Sequence, residues 1–181
     1  MPNTAVGKLL KQKKTAKQTL AKKMSFSCKK PLLGIFLDNE LTRQNAEKIN
    51  IIFKGITAID VEVVILADSN LENFSMSNMI ILPYSRQNRK LLLESADMSL
   101  SFPFSDIEEM LLHGVIPISI SRPEIIDYNP NHETGNSFIF KEDDPWYIFA
   151  ALVRARETFR FPYDWKHIVR EGLSSVGNVN Y

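Results

Sequence analysis

Apolar residues along the chain fall into short blocks separated by polar loops, and the blocks alternate between two periods. Lys30-Pro31-Leu-Leu-Gly-Ile-Phe-Leu37 is a continuous apolar run, the pattern of a strand buried on both faces of a parallel sheet. From Leu41 to Gly55 the apolar residues recur at helical spacing: Ala46, Ile49, Ile52 and Phe53 share a face, and Gly55 ends it. Val61 to Ala67 predicts a second strand, Asp68 to Asn78 a polar loop, Met79 to Pro83 a third strand, and Asn88 to Ser95 a helix with a leucine-rich face.

The stretch from Ala96 to Ile118 organises the remainder. Met98 to Phe102 alternates as a strand does, Pro103 breaks the run, and Ser105 or Asp106 can cap a helix. Ile107, Met110 and Leu111 give that helix an apolar stripe, Gly114 stops it, and Val115 to Ile120 is a buried-type strand. A strand, a loop at its carboxyl end and a returning helix form the unit that builds ligand crevices in open α/β sheets. The loop from Phe102 to Asp106 is therefore expected to border any small-molecule site. Pro123 to Glu133 then reads as a loop and Ser137 to Phe140 as a short strand. Asp144 to Thr158 reads as a helix capped by Asp143 or Asp144 with Pro145 in its first turn, and Asp164 to Leu173 as a last helix.

Strands alternating with helices imply right-handed crossovers. The expected fold class is α/β, a Rossmann-like three-layer domain with a mostly parallel sheet over residues 30–175. A basic, flexible arm over residues 1–29 precedes it and a tail over 176–181 follows. No internal repeat is visible.

Length and composition add limits. The 181 residues suit one domain plus an extension, and 44% apolar with 24% charged residues is ordinary for a globular chain. No run approaches the ~18–20 apolar residues of a membrane span, and no secretory pattern opens the sequence. Cys28 is the single cysteine, which excludes an intrachain disulfide and fits a reducing cytoplasm.

Charge changes the picture more. Residues 1–30 hold nine lysines and no acid, whereas the other 151 hold 13 basic and 21 acidic residues, a net of −8. Within Ala5 to Met24 a thin helical stripe of Val6, Leu9, Leu10, Ala16, Leu20 and Met24 is surrounded by lysines. One reading is a solvated tail with a conditional helix; the other is a contact with nucleic acid or an anionic surface. No aromatic residue interleaves with these lysines, which argues against a base-stacking platform. The absence of arginine argues against a mitochondrial presequence, and Met24 is an alternative start.

Candidate chemistry is sparse. His113, His132 and His167 stand at no metal-ligand spacing, and His113 reads as a helix C-terminal cap. There is no nucleophile elbow and no phosphate loop. Glu108 and Glu109 are adjacent on a helix and point apart, so an acid/base pair is disfavoured. Arg86 and Arg89 near a helix start read as a solvated face or an anion contact. Trp146, Tyr147, Phe149, Phe159, Phe161, Tyr163 and Trp165 read as packing, with a protein or glucan contact surface as the alternative.

Several motifs stand in an order that resembles the C-terminal, nucleotide-sugar-binding domain of the glycogen and starch synthases. Pro31 to Leu37 is similar to the opening strand of that family, and Leu41-Thr42-x-Gln44 to the segment after it. Val61 to Leu66 is similar to its second strand. Ala96-Asp97, Glu109 and Gly114-Val-Ile-Pro117 resemble its Ala-Asp, Glu and Gly-x-x-Pro positions. Thr134-Gly135-Asn-Ser-Phe138-Ile-Phe140 resembles its Thr-Gly-x-x-Phe-x-Phe turn, and Arg154-Ala155 with Trp165 its last two helices. The resemblance implies a GT-B fold, in which Glu109 would contact the ribose of ADP-glucose or UDP-glucose, with Thr42 and Ser105 beside the nucleotide sugar.

The departures all concern charge. Where the family grips a diphosphate with Arg and Lys, this chain has Glu40 and Asn45, and Ala46 replaces a close-approach glycine. Like charges ~4 Å apart cost on the order of 4 kcal/mol per pair at an effective dielectric of 20. The first glutamate of the family's pair has no counterpart, and the glycine loop after Pro117 is shortened to Ser119-Ile-Ser-Arg-Pro123. The family's amino-terminal acceptor domain is expected to be absent. The expectation is a degenerate domain, a pseudoenzyme without glycosyltransferase activity as an isolated chain, acting as a binding or regulatory module. The alternatives are the donor-binding half of a split glucosyltransferase, completed by a separate N-terminal domain, and a protein that docks on nucleic acid or an anionic surface through its lysine-rich arm. No catalytic residue, metal or cofactor is implied.

Overall fold

The computed structural model describes residues 2–37, 46–67, 79–102 and 105–177. Its strands are β1 (Leu32–Leu37), β2 (Glu62–Ala67), β3 (Met79–Pro83), β4 (Met98–Leu100), β5 (Ile116–Ile120) and β6 (Phe138–Phe140). Its helices are α1 (Pro2–Met24), α2 (Ala46–Ile56), α3 (Arg86–Ser95), α4 (Ile107–Leu112), α5 (Pro145–Phe159) and α6 (Pro162–Gly177). The six strands form one sheet in the order β3-β2-β1-β4-β5-β6, and every neighbouring pair is parallel. This is the doubly wound α/β order, with its reversal between β1 and β4.

Side-chain alternation explains the layers. Leu33, Ile35 and Leu37 point to one face, in register with Val63, Ile65 and Ala67 of β2. They join a core that includes Ile49, Ile52 and Phe53 of α2 and Ile148, Ala151, Leu152 and Ala155 of α5. Leu32, Val64 and Leu66 point to the other face, where Leu92 and Leu93 of α3 and Ile107, Met110 and Leu111 of α4 cover them. That second face is lined with small residues in the middle of the sheet. A Cβ on Gly34 would stand 3.2 Å from Ala96 Cβ and 3.4 Å from Leu92 Cγ, so α3 lies directly on the β1 backbone. The Ser101 hydroxyl likewise lies 3.3 Å from Met110 Sδ beneath α4.

Punctuation residues act as their chemistry requires. Ser85, Asp106 and Asp144 cap α3, α4 and α5, each accepting a backbone N–H with its side-chain oxygen. Gly114 follows the C-terminal cap His113 with φ +63, a conformation that favours glycine. Of the segments predicted from the sequence, 41–45 and the loop 68–78 lie outside the described residues. The last helix runs further than Leu173, to Gly177, with Gly172 packed where a Cβ would be 2.9 Å from Leu111 Cδ2.

Residues 2–24 correct the expectation of a flexible arm. They form one helix that packs against α3 and α6. Val6, Leu20 and Ala21 are buried, but so are Lys13 and Lys17, at 5% and 6% exposure. The Lys17 ammonium donates to Asp97 Oδ2 and to the Lys30 carbonyl, both at 2.6 Å, and Asp97 Oδ2 also accepts the Leu32 N–H at 2.8 Å. Lys13 Nζ donates to the Leu93 carbonyl at 3.1 Å, in the last turn of α3, where the helix dipole favours a cation. The packing that fixes the helix thus uses lysine stems as apolar surface and their ammonium groups as anchors.

Two stability measurements check this account. Lys17→Met removes one partner of a buried ion pair and is expected to lower urea-unfolding stability by about 3 kcal/mol. Burial, the largest influence on Lys13, pushes its ammonium down from 10.5 to about 8. The unfolded chain therefore holds the Lys13 proton over a range in which the folded chain has lost it. The burial penalty is complete below pH 8, and relief of it should raise stability as pH climbs from about 8 to 10.5. Lys13→Met should flatten that part of the stability–pH curve, and an unchanged slope would refute the assignment.

Candidate functional site

In an open α/β sheet the crevice lies at the carboxyl ends of the strands, where the strand order reverses. Here that point lies between β1 and β4. Glu40, Thr42 and Asn45, which follow β1 in the sequence, lie outside the described residues, as do Pro103 and Phe104. The described rim is built by Phe102, Ser105 and Asp106 after β4, Glu109 in the first turn of α4, Arg89 in the first turns of α3, and Arg122 after β5.

These groups are brought together and largely satisfy one another. Ser105 closes a tight turn: its hydroxyl accepts the Phe102 N–H at 2.9 Å, and its own N–H donates to the Phe102 carbonyl at 2.9 Å. Arg122 Nη1 donates to the Ser105 carbonyl at 2.9 Å, and its Nε lies 3.6 Å from Glu124 Oε2. Asp106 Oδ1 accepts the Glu109 N–H at 3.0 Å. The Glu109 carboxylate is paired with Arg89, bridging α4 to α3 across the switch point. The Glu109 hydrogen bond raises the Arg89 pKa above its ordinary value. The two site residues foreseen from the sequence that are described, Glu109 and Ser105, therefore share one rim, and Thr42 lies outside the description. The Arg89–Glu109 and Arg122–Ser105 contacts were not legible in the sequence. Helical spacing shows which face a residue occupies, but it cannot show which helix lies alongside.

Histidine and aromatic assignments divide. His113 Nδ1 stands 2.9 Å from the Glu109 carbonyl at the end of α4, the capping position expected. Among the described residues no group of three His, Cys, Asp or Glu side chains could hold a metal ion. Trp165 is buried, stacked at 6.4 Å on Phe138 and edge-on at 5.0 Å to Phe159. Trp146, Tyr147, Phe161 and Tyr163 are exposed. Trp146 and Phe149, in the first turns of α5, line an apolar cleft of 260 Å³ with Ile51, Ile52 and Gly55 of α2.

The other motif positions hold structure. Gly135 has φ +106, and a Cβ there would stand 2.5 Å from the Asp127 carbonyl oxygen. Buried Asn136 accepts the Ile126 N–H and donates to the Glu124 carbonyl and Ser175 Oγ. Asp127 accepts the Ile139 N–H and pairs with Arg154 at 2.9 Å, whose guanidinium lies over Phe138. The segment from Asp127 to Phe138 is thereby tied to β6, α5 and α6.

Comparison with known proteins bears on the fold. The chain is 32% identical to a glycogen synthase of Gloeobacter violaceus over 69 residues, 36% of this chain and 15% of that protein. It is 34% identical to glycogen synthase 1 of Synechocystis sp. over 65 residues, 34% of this chain and 14% of that protein. It superposes on the crystal structure of TarM with TM-score 0.56 and 11% identity, covering 84% of this chain and 32% of that one. The sequence likeness to glycogen synthases thus covers about a third of this chain. Its Rossmann-like α/β fold is shared with part of TarM, and the matched segment spans only about a seventh of the curated glycogen synthases. No protein-family profile matches the chain. No helix among the described residues is long and apolar enough to cross a membrane.

Paired substitutions separate packing positions from rim positions. Gly135→Ala forces a side chain into a positive-φ site against backbone and should cost at least about 2 kcal/mol by chemical denaturation. Arg89→Ala, at a partly exposed ion pair, should change stability by no more than about 1 kcal/mol. Equal losses at the two positions would contradict the division.

Proposed function

We propose that this chain is a degenerate glycogen/starch-synthase-like domain, non-catalytic alone, that acts as a binding or regulatory module. The observation that carries the reading is that Glu109, which matches the ribose-contacting position of the synthases, already has a cationic partner in Arg89. A ribose hydroxyl would have to compete with a salt bridge in which both groups are charged, offering a hydrogen bond in which only the carboxylate is. The chemistry of the neighbouring positions points the same way. Glu40 and Asn45 stand where the synthases carry cations for the donor diphosphate, and an anion there opposes a polyanionic ligand. The motif positions that are kept, Gly135, Arg154 and Trp165, are occupied with packing.

One observation favours a second reading. Glu109 itself is retained, and it sits on the carboxyl-end rim beside the switch point. A donor-binding half of a split glucosyltransferase would use that carboxylate for ADP-glucose or UDP-glucose, with a separate N-terminal glycosyltransferase domain supplying the acceptor side.

Calorimetric titration of the chain with ADP-glucose, UDP-glucose and the free nucleotides, beside a Glu109→Ala variant, separates the two. The module reading expects no saturable heat and no thermal shift at millimolar nucleotide. Saturable binding that Glu109→Ala weakens would overturn it in favour of the split enzyme.

A further inference from the structure

The packing of α1 sorts the amino-terminal lysines into two sets. Lys13 and Lys17 turn inward and are consumed as anchors. Lys8, Lys11, Lys14, Lys22 and Lys23 are exposed, and none of them forms an ion pair among the described residues. This is unlike most surface cations of the body. Lys30, Lys48, Lys90, Arg89, Arg154, Arg156 and Arg160 each stand against a carboxylate. The five outward ammonium groups span 15 helical steps from Lys8 to Lys23, about 22 Å at 1.5 Å per residue. They share a rigid helix that carries no acidic residue.

We propose that the outward face of α1 is a docking surface for the phosphodiester backbone of a nucleic acid, read without regard to sequence. These outward cations, with no ion-pair partner among the described residues, are spread along the exposed half of the helix and can meet a polyanion that runs along it. Duplex DNA presents one negative charge per about 1.7 Å of its axis, so several phosphates fall within the length they span, and each contact releases a counterion. The composition of the face selects among polyanions. Its exposed residues other than lysine are Ala5, Gly7, Gln12, Thr15, Gln18 and Thr19. None is a large apolar or aromatic group of the kind that anchors a protein partner. The apolar side of the helix is buried in the body through Val6, Leu20 and Ala21, so nothing remains to insert into a bilayer. Aromatic stacking groups are absent too, which confines recognition to the backbone. The surface lies by the amino ends of β1 and β4, where Lys17 meets Lys30 and Asp97, remote from the carboxyl-end rim. It is independent of any nucleotide-sugar site.

Fluorescence anisotropy of the full chain with a labelled 25-base-pair DNA duplex and with a single-stranded RNA 25-mer tests the proposal. Polyglutamate and phosphatidylserine vesicles are the competing polyanions. The outward Lys→Gln variant at positions 8, 11, 14, 22 and 23 leaves Lys13 and Lys17 in place, and circular dichroism confirms its helix content. The expected result is binding to one or both nucleic acids. For DNA, affinity should fall by about 40- to 500-fold between 50 and 200 mM salt for three to five phosphate contacts, with a shallower dependence for RNA. The quintuple variant should lose that binding. Binding that survives in the folded variant, no binding to either nucleic acid at 20 mM salt, or equal or tighter binding to polyglutamate or vesicles would each overturn it.

Discussion

The carboxylate of Asp97 holds the fold together at one point. It stands immediately before β4, accepts the N–H of the first residue of β1, and carries the ammonium of Lys17 from α1. One oxygen thus joins the two central strands to the amino-terminal helix. The pair is mostly shielded, with side-chain exposures of 8% for Lys17 and 14% for Asp97. Desolvating two charges is costly, and the arrangement is stable because both ions have further partners: the Leu32 N–H for the acid and the Lys30 carbonyl for the base. The same contact fixes the rotation of α1 about its axis. Once Lys17 points inward, Lys13, one turn earlier, must point inward as well, and the remaining lysines of the helix are turned to solvent.

That constraint divides the sheet lengthwise. At the amino ends of β1 and β4, α1 closes the structure with anchored cations, and Leu9 packs directly on the Gly114 turn that leads into β5. At the carboxyl ends the described groups are polar and pair with one another: Arg89 holds Glu109, Arg122 holds the Ser105 carbonyl, and Asp106 caps α4. Among the described motif residues, Gly135, Arg154 and Trp165 are held by packing and pairing, and losing one would open a cavity or force backbone strain. A residue whose role is to grip an anion contributes little to folding, so its replacement leaves the architecture intact.

Much of the architecture was legible in the sequence because it rests on short-range periodicity. Strands β1, β2, β3 and β5 are apolar runs, and helices α4 and α5 follow the capping residues Asp106 and Asp144, whereas α3 starts at Arg86 behind Ser85, two residues ahead of the expected Asn88. The parallel pairing of the strands followed from their alternation with helices, whereas their order across the sheet came only from the structure. Helix α1 was misjudged for a definite reason. Its inward stripe is Val6, Lys13, Lys17, Leu20 and Ala21, and two of those positions carry residues that hydrophobic patterning assigns to solvent. Their partners, Leu93 and Asp97, are 80 residues away, beyond any local signal. Of the rim, the location beside Ser105 and Glu109 could be read from the strand–loop–helix unit. The pairings that occupy it could not, since Arg89 and Arg122 come from other elements.

The outward lysines raise a question of energetics as well as of partners. Lys8, Lys11 and Lys14 succeed one another at three-residue spacing, so neighbouring ammonium groups repel, by roughly a few tenths of a kcal/mol per pair. Glutamates at alternate turns would convert those repulsions into attractions and serve solubility equally well, since mixed charge suffices for that. The rest of the chain does use mixed charge: Asp60 bridges Lys30 and Arg156, and Glu157 bridges Arg156 and Arg160. A helix that tolerates unrelieved repulsion on its outer face must take its stability from its inner one, through the buried Lys17–Asp97 pair and the apolar contacts around it. The energetic dependence runs in one direction. The anchors can hold α1 whatever faces solvent, while a uniformly cationic outer face is sustainable only because the anchors are there.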